Sequence, residues 1–302
     1  MLFNKNNEGS LEIYNLSGAF EANTPFSAIA SEVISATTDV AAIIGNAVIE
    51  AAQAIYDKQT PTDEERTFLD TVRRPIAFLA VGNYARITLL RHDATGRKMV
   101  TGDNEKVPFE WMVDRDDREL RERYYRAMDT LFAYLTKTNV SAWKETDAYK
   151  RASASLVDSL SKMEEVYPVD HSQYTYYMLL PLMLEAQAKL LKEINKPDKS
   201  GIPEAARPAA ARYIVLKALI TALRRWALSV FPTEVARQFA PSYQGNKEKQ
   251  VATKEEIDWA IGKLEAQAAE AEAEVIEDVK GNPYKGFPLI PENDPKNKYF
   301  TT

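Results

Sequence analysis

Cysteine is absent from the chain, histidine occurs twice, and glycine only 11 times in 302 residues. The first absence excludes disulfides, thiolate metal sites and cysteine nucleophiles together. It fits a reducing compartment, or a particle assembled inside one. His92 and His171 have no carboxylates at ligand spacing beside them, so each reads as a surface or capping residue and neither a metal nor a cofactor is expected. The sparse glycines form no phosphate-cradling loop: Gly96 and Gly102 stand singly as turn residues, and no G-x-S-x-G elbow or triad order is present. Long apolar runs are missing as well. Ala41–Ala54 is interrupted by Asn46 and Glu50, and Tyr176–Leu191 by Glu185 and Lys189, short of the roughly 20 residues a membrane span needs. The N-terminus, MLFNKNNEGSLEIYNLSG, has no apolar run after a basic start and does not read as a secretory signal. A soluble chain without a membrane partner is expected. Excess positive charge is lacking too: 38 basic against 44 acidic residues argue against phosphate neutralisation as the main task, and no sequence-specific nucleic-acid partner is expected.

What is present is a repetition. Arg74–Arg91, RPIAFLAVGNYARITLLR, aligns without a gap with Arg207–Arg224, RPAAARYIVLKALITALR, at eight of eighteen positions. Alanine and leucine match by accident in helices, but here an Arg-Pro start, an Ile-Thr pair and a closing Arg match too. The bland alternative is two unrelated helices with Pro in the first turn. The spacing of LEAQA (Leu184–Ala188) and IEAAQA (Ile49–Ala54) before each copy extends the expected duplication to a helix pair.

Taken in order, residues 1–24 are mixed polar and predict an arm, with one short strand, lying on a neighbour. Thr24 and Pro25 open a helix expected to run to Asp57, and Thr60 or Thr62 caps a second whose Glu64 and Glu65 suit the positive end of its dipole. Pro75 is expected to kink that helix or to start a new one. The turn residues of Arg91–Trp111 predict a small hairpin or loop.

Asp114–Leu135 is the clearest helix: Leu120, Tyr124, Met128, Leu131, Phe132 and Leu135 form its inner face. Opposite charges four apart, Asp114–Arg118, Asp117–Arg121, Glu119–Arg123 and Glu122–Arg126, lace the outer one, which reads as a solvated face rather than a phosphate strip. Ala142–Glu165 is read as one further helix. Thr253 with Glu256 forms a capping box for a helix that ends acidic, the wrong sign for its own C-terminal dipole unless a basic surface meets it. Four prolines, Pro283, Pro288, Pro291 and Pro295, make Gly281–Thr302 an extended arm, either a strap on its own fold or a tail for another subunit.

At VRRPIAFLAVGNYA (Val72–Ala85), KVPFEWMVDRDDRELRERYYRAMDTLFAYL (Lys106–Leu135) and NKYF (Asn297–Phe300) the sequence resembles a family of uncharacterised proteins encoded by phages and prophages of Bacteroidetes bacteria. The order of helices and hairpin also looks like that of the small head–tail connector proteins that form a ring below a phage portal, an analogy of architecture. The chain departs from those single-unit proteins by carrying two copies. The resemblance implies a virion structural protein, assembled in the host cytoplasm as a homo-oligomeric ring that touches portal and tail or neck proteins; it implies no catalysis.

The expected fold is therefore all-α: a first helical unit over 25–168, a second over 169–280, each with a hairpin or loop, and terminal arms at 1–24 and 281–302. The interface candidates are Tyr284, Phe287, Tyr299 and Phe300 as arm anchors, with the loop holding Gly96 and Gly102 as a second contact. A soluble scaffolding or regulatory module outside the particle is the alternative. An enzyme would need a carboxylate pair that the sequence does not single out.

Overall fold

The computed structural model describes residues 1–89, 91–93, 96–98, 109–138, 140–225 and 253–280. The protein is all-α, with eleven α-helices among the described residues and a two-stranded antiparallel hairpin of β1 (Arg91–Asp93) and β2 (Gly96–Lys98). It packs as two compact units: Met1–Ala152 with Ser172–Met178, and Ser153–His171 with the described residues from Leu179. These differ from the expected division at 168, because 153–171 packs with the second unit and the first turns of a later helix pack with the first.

The first unit begins with a correction. Residues 1–24 hold α1 (Gly9–Ser17), ended by Gly18 in the left-handed region (φ +65), and Leu2, Phe3, Ile13 and Phe20 are buried in the unit's core. The expected free arm is part of the fold; its apolar residues are too scattered for a periodic pattern, yet Leu2, Phe3, Ile13 and Phe20 reach the core while Leu11 and Tyr14 stay exposed.

The helix expected over 24–57 is two helices, α2 (Ala30–Ile44) and α3 (Asn46–Tyr56), divided at Gly45. Gly45 sits at φ +91 and a Cβ there would lie 2.6 Å from Thr146, so glycine suits both the bend and the close approach. Val33, Ala36, Val40 and Ile44 keep helical spacing on the inner face of α2.

The Thr62–Glu65 capping box starts α4 (Asp63–Thr88). This helix runs through Pro75 without ending, and the proline ring is buried. Against it packs α5 (Glu110–Thr138), whose expected inner residues Leu120, Tyr124, Met128, Leu131, Phe132 and Leu135 are all buried. Phe132 stacks on Tyr177 (centroids 4.3 Å apart) and meets Trp143 edge-on at 5.7 Å.

The single helix expected over 142–165 is replaced by α6 (Ser141–Lys144), α7 (Asp147–Ala154) and α8 (Leu160–Glu164). Ser155 and Ser159 divert the backbone: Ser155 Oγ accepts from the amide of Val157, and Ser159 Oγ from that of Lys162 as the cap of α8.

The second unit contains most of α9 (Gln173–Glu193), then α10 (Arg207–Arg225) and α11 (Lys254–Lys280). Pro181 lies on the exposed side of α9. Gln187 ties the irregular stretch to α9, accepting from the Leu156 amide (2.6 Å) and donating to the Ala154 carbonyl (3.1 Å). Helix α10 is buried on nearly all sides, as its alanines allow, and α11 lies antiparallel against it. The Thr253–Glu256 box caps α11 as expected. Of the acids late in α11, Glu274 pairs with Arg212 within the unit itself, and nearer the helix middle Glu265 pairs with Arg224.

The two copies of the repeated segment occupy different places in their helices. Arg74 lies mid-way along α4, whereas Arg207 is the first residue of α10. In both, the shared threonine donates to the carbonyl four residues back, Thr88 to Tyr84 (2.9 Å) and Thr221 to Lys217 (2.8 Å).

Candidate functional site

Helices α4 and α5 are antiparallel: a Cβ on Gly82 would lie 3.8 Å from Leu120, and Arg86 pairs with Asp117 at 3.1 Å. That register carries the last turn of α4 to the first turns of α5. At this end the inside-out rule of helix patterning reverses. Ile87 is 51% exposed, Leu89 41%, Phe109 67%, Trp111 58% and Met112 42%. Single exposed apolar residues need no explanation, but five large ones at one end of one helix pair form a patch of the kind that marks interaction surfaces.

Charge borders the patch, and the exposed Glu110 lies between Phe109 and Trp111 within it. Arg86 with Asp117 and Arg123 with Glu119 (2.8 Å) hold the neighbouring turns of the pair, and the bond from Arg123 keeps the Glu119 carboxyl below its ordinary range. Glu122 pairs with Arg126 at 3.5 Å. The outer face of α5 is thus laced with ion pairs, Asp117 having turned to α4. A largely apolar surface with ion pairs on the turns behind it is the anatomy of a protein contact.

Two polar clusters lie inside the first unit, and both serve structure. Arg73, 7% exposed, is wedged between the rings of Phe3 (4.7 Å) and Tyr56 (5.1 Å). Its Nη2 lies 3.1 Å from Glu12 and its Nη1 3.6 Å from Asp70, although neither Nε nor Nη2 has a well-directed hydrogen-bond acceptor among the described residues. The Tyr56 hydroxyl donates to the Glu12 carboxylate (2.9 Å), and burial, with Glu12 beside it, raises its pKa. Lys5 Nζ donates to the Tyr56 carbonyl (2.7 Å). Together these bonds fasten the N-terminus to α3 and α4.

The second cluster caps α9. Asp129 on α5 accepts from Ser172 Oγ (3.0 Å) and the Tyr174 amide (2.8 Å); burial outweighs these bonds and raises its carboxyl above the ordinary range. Burial likewise pushes the Tyr174 hydroxyl up to about 12.

Two large surface grooves are also present. One of about 680 Å³ lies beside the α2–α3 bend, lined by Thr37, Ala41, Asn46, Glu145 and Arg151 among others. The other, about 600 Å³ in the second unit, holds Lys162, Arg207 and Arg212, each already paired with a carboxylate: Asp158, Glu204 and Glu274. Among the described residues no three His, Asp or Glu side chains converge to hold a metal ion, and no helix is long and apolar enough to cross a membrane.

Of the residues named from sequence, Gly96 is the first of β2 and pairs with Asp93 across the hairpin. Gly102, Tyr284, Phe287, Tyr299 and Phe300 lie outside the described residues. His171, highly exposed at positive φ, meets Glu164 through Nδ1 at 2.7 Å, a loop contact. The apolar tip itself went unnamed in the sequence reading. Its signal was there, since Ile87, Leu89, Phe109, Trp111 and Met112 flank the predicted hairpin, but periodicity alone assigns such residues to a core.

Comparison with family models, with curated proteins and with solved structures gives no match.

Proposed function

We propose that this chain is a structural component of a tailed-bacteriophage particle, acting at the neck as a head–tail connector or adaptor that assembles as a ring of like subunits on the portal. One observation carries the reading: an antiparallel helix pair bears five large exposed apolar side chains at its hairpin end, with ion pairs on the turns behind them. Such a tip gains free energy by leaving water, at roughly 25 cal/mol per Å², and repeated subunit contact is what a ring requires. The resemblance at Val72–Ala85, Lys106–Leu135 and Asn297–Phe300 supports the phage setting, and two of those three blocks contribute to the α4–α5 pair. No step of catalysis is assigned to the chain.

The test is quantitative mass spectrometry of purified phage particles from the source strain, normalised to portal. A copy number close to that of portal is expected. A much larger number would move the protein to capsid or tail tube, and absence from the particle would replace this reading with a scaffolding or regulatory module.

A further inference from the structure

The repeated segment supplies an internal control for the exposed tip. Ile87 and Ile220 are the same residue of the repeat, followed by the same threonine, yet Ile87 is 51% exposed and Ile220 3%. Ile220 is covered because Leu216, Ile220 and Leu223 pack with Ile261 and Ala268 of α11, flanked by Ile257 and Leu264. In the first unit the equivalent turn has no such cover among the described residues, and the start of α5, with Phe109 just before it, adds the exposed Phe109, Trp111 and Met112. The turn that one copy buries, the other presents.

The size and chemistry of the tip select an occupant. Five large side chains about half exposed amount to roughly 500 Å² of apolar surface, given 150–250 Å² for a large aromatic. Two such tips face to face would bury about 1,000 Å² in all, the bottom of the range for specific interfaces, so a symmetric tip-to-tip dimer is a weak solution. A short peptide with a few apolar anchors fits better.

The tip exposes an indole and a phenyl ring, and aromatic-lined surfaces are where proline-rich segments dock with little loss of conformational entropy. The chain contains one such segment. Gly281–Thr302 carries Pro283, Pro288, Pro291 and Pro295 among Tyr284, Phe287, Leu289 and Ile290. It follows directly on α11 and, extended, reaches about 70 Å, more than the about 44 Å length of α5.

We propose that the tip formed by Ile87, Leu89, Phe109, Trp111 and Met112 receives the proline-rich tail, Gly281–Thr302, of a second copy of this chain. A second copy is named because the chain is read as assembling with like subunits, each of which offers both a tip and a tail. The contact is heterologous, tail of one copy to tip of the next, and such contacts generate rings when the rotation closes. The proposal rests on the reading of the chain as a self-assembling component and specifies the contact that assembles it.

The experiment uses the full chain with the photo-cross-linking residue p-benzoylphenylalanine in place of Trp111, and in a second variant in place of Phe109. Unlabelled and heavy-nitrogen-labelled copies are mixed in equal amounts, left to exchange, concentrated and illuminated. Digestion and mass spectrometry should show links from the tip to peptides of 281–302, with about half of the linked pairs joining a light to a heavy chain. An excess of synthetic Gly281–Thr302 peptide should abolish them. The same probe at Trp259, 69% exposed on α11, serves as control and should give no tail links.

Links confined to chains of one label, which would make the tail a strap on its own fold, would overturn the proposal. So would tip-to-tip links, or none to the tail. Absence of the protein from phage particles would remove the virion reading and leave this contact standing, so the two failures are distinguishable.

Discussion

Helices α4 and α5 in the first unit and α10 and α11 in the second are each an antiparallel pair whose first helix holds most or all of one of the two similar segments, Arg74–Arg91 or Arg207–Arg224. They are held in different ways. Helix α4 is clamped through a buried arginine, with Arg73 between Phe3 and Tyr56 and facing Glu12, and its partner brings large aromatic residues. Helix α10 is alanine-rich and close-packed, and its charges stay at the surface, where Arg212 and Arg224 reach across to Glu274 and Glu265. Two segments alike at eight of eighteen positions therefore lie in cores held by buried ionic and aromatic anchoring in one place and by alanine-rich packing with surface ion pairs in the other. What an element buries is decided by its neighbours.

The largest expected effect comes from breaking the clamp. Glu12→Ala leaves the Arg73 guanidinium, 8% exposed as a side chain, with Asp70 as its remaining anionic contact and should cost about 3–5 kcal/mol, as removal of one partner of a buried ion pair does. A fall in the urea midpoint measured by circular dichroism checks this; an unchanged midpoint would show that the clamp holds nothing.

The next tests the repeat directly. Ile220→Ala should cost about 2–4 kcal/mol because it opens a hole in a packed cluster. Ile87→Ala, at the equivalent position, should change stability by less than about 0.5 kcal/mol. Equal costs would erase the distinction between the two copies.

Smaller still is the cap on α9. Asp129→Ala strands the Tyr174 amide and should cost about 1–3 kcal/mol, whereas Asp129→Asn keeps an acceptor oxygen and should cost less. The sign with pH follows from the raised carboxyl. The stabilising contribution of this group is fully present below its unfolded value near 3.8 and is lost as pH rises through the higher folded value. Stability of the Asn variant relative to the natural chain should therefore improve between about pH 3 and about pH 7, read from paired urea midpoints.

The least effect on stability is expected from Arg225→Ala. The hydrogen bond from Arg225, with a second from Lys189, holds Glu185 down to about 2, so losing it should raise the carboxyl midpoint toward 4.5 in an NMR titration. Melting should hardly move, because the pair is exposed and screened.

Local rules carried much of the fold into view. The Thr62 and Thr253 capping boxes and the inner face of α5 were legible because each depends on residues within one or two turns of one another. The breaks at Gly45 and at Ser155 were not, although the residues responsible are ordinary helix breakers. Gly45 bends the chain where Thr146 approaches it, about a hundred residues away in sequence, and no periodicity reports such an approach. The N-terminal segment was read as an arm for the same reason: Phe3 and Ile13 show no helical stripe, and their burial depends on α3 and α4 being in place to receive them.

By itself the sequence determined that the protein would be helical, free of thiol chemistry, without a long apolar run and balanced in charge, because these properties follow from composition and from interactions along a few turns of chain. Only the tertiary structure decided that Arg73 is buried, that Asp129 caps a helix other than its own, and that Ile87 is exposed while Ile220 is covered. Burial is a property of what packs against a surface, and two identical residues in matching helices acquire opposite environments when α11 covers one and α5 leaves the other open.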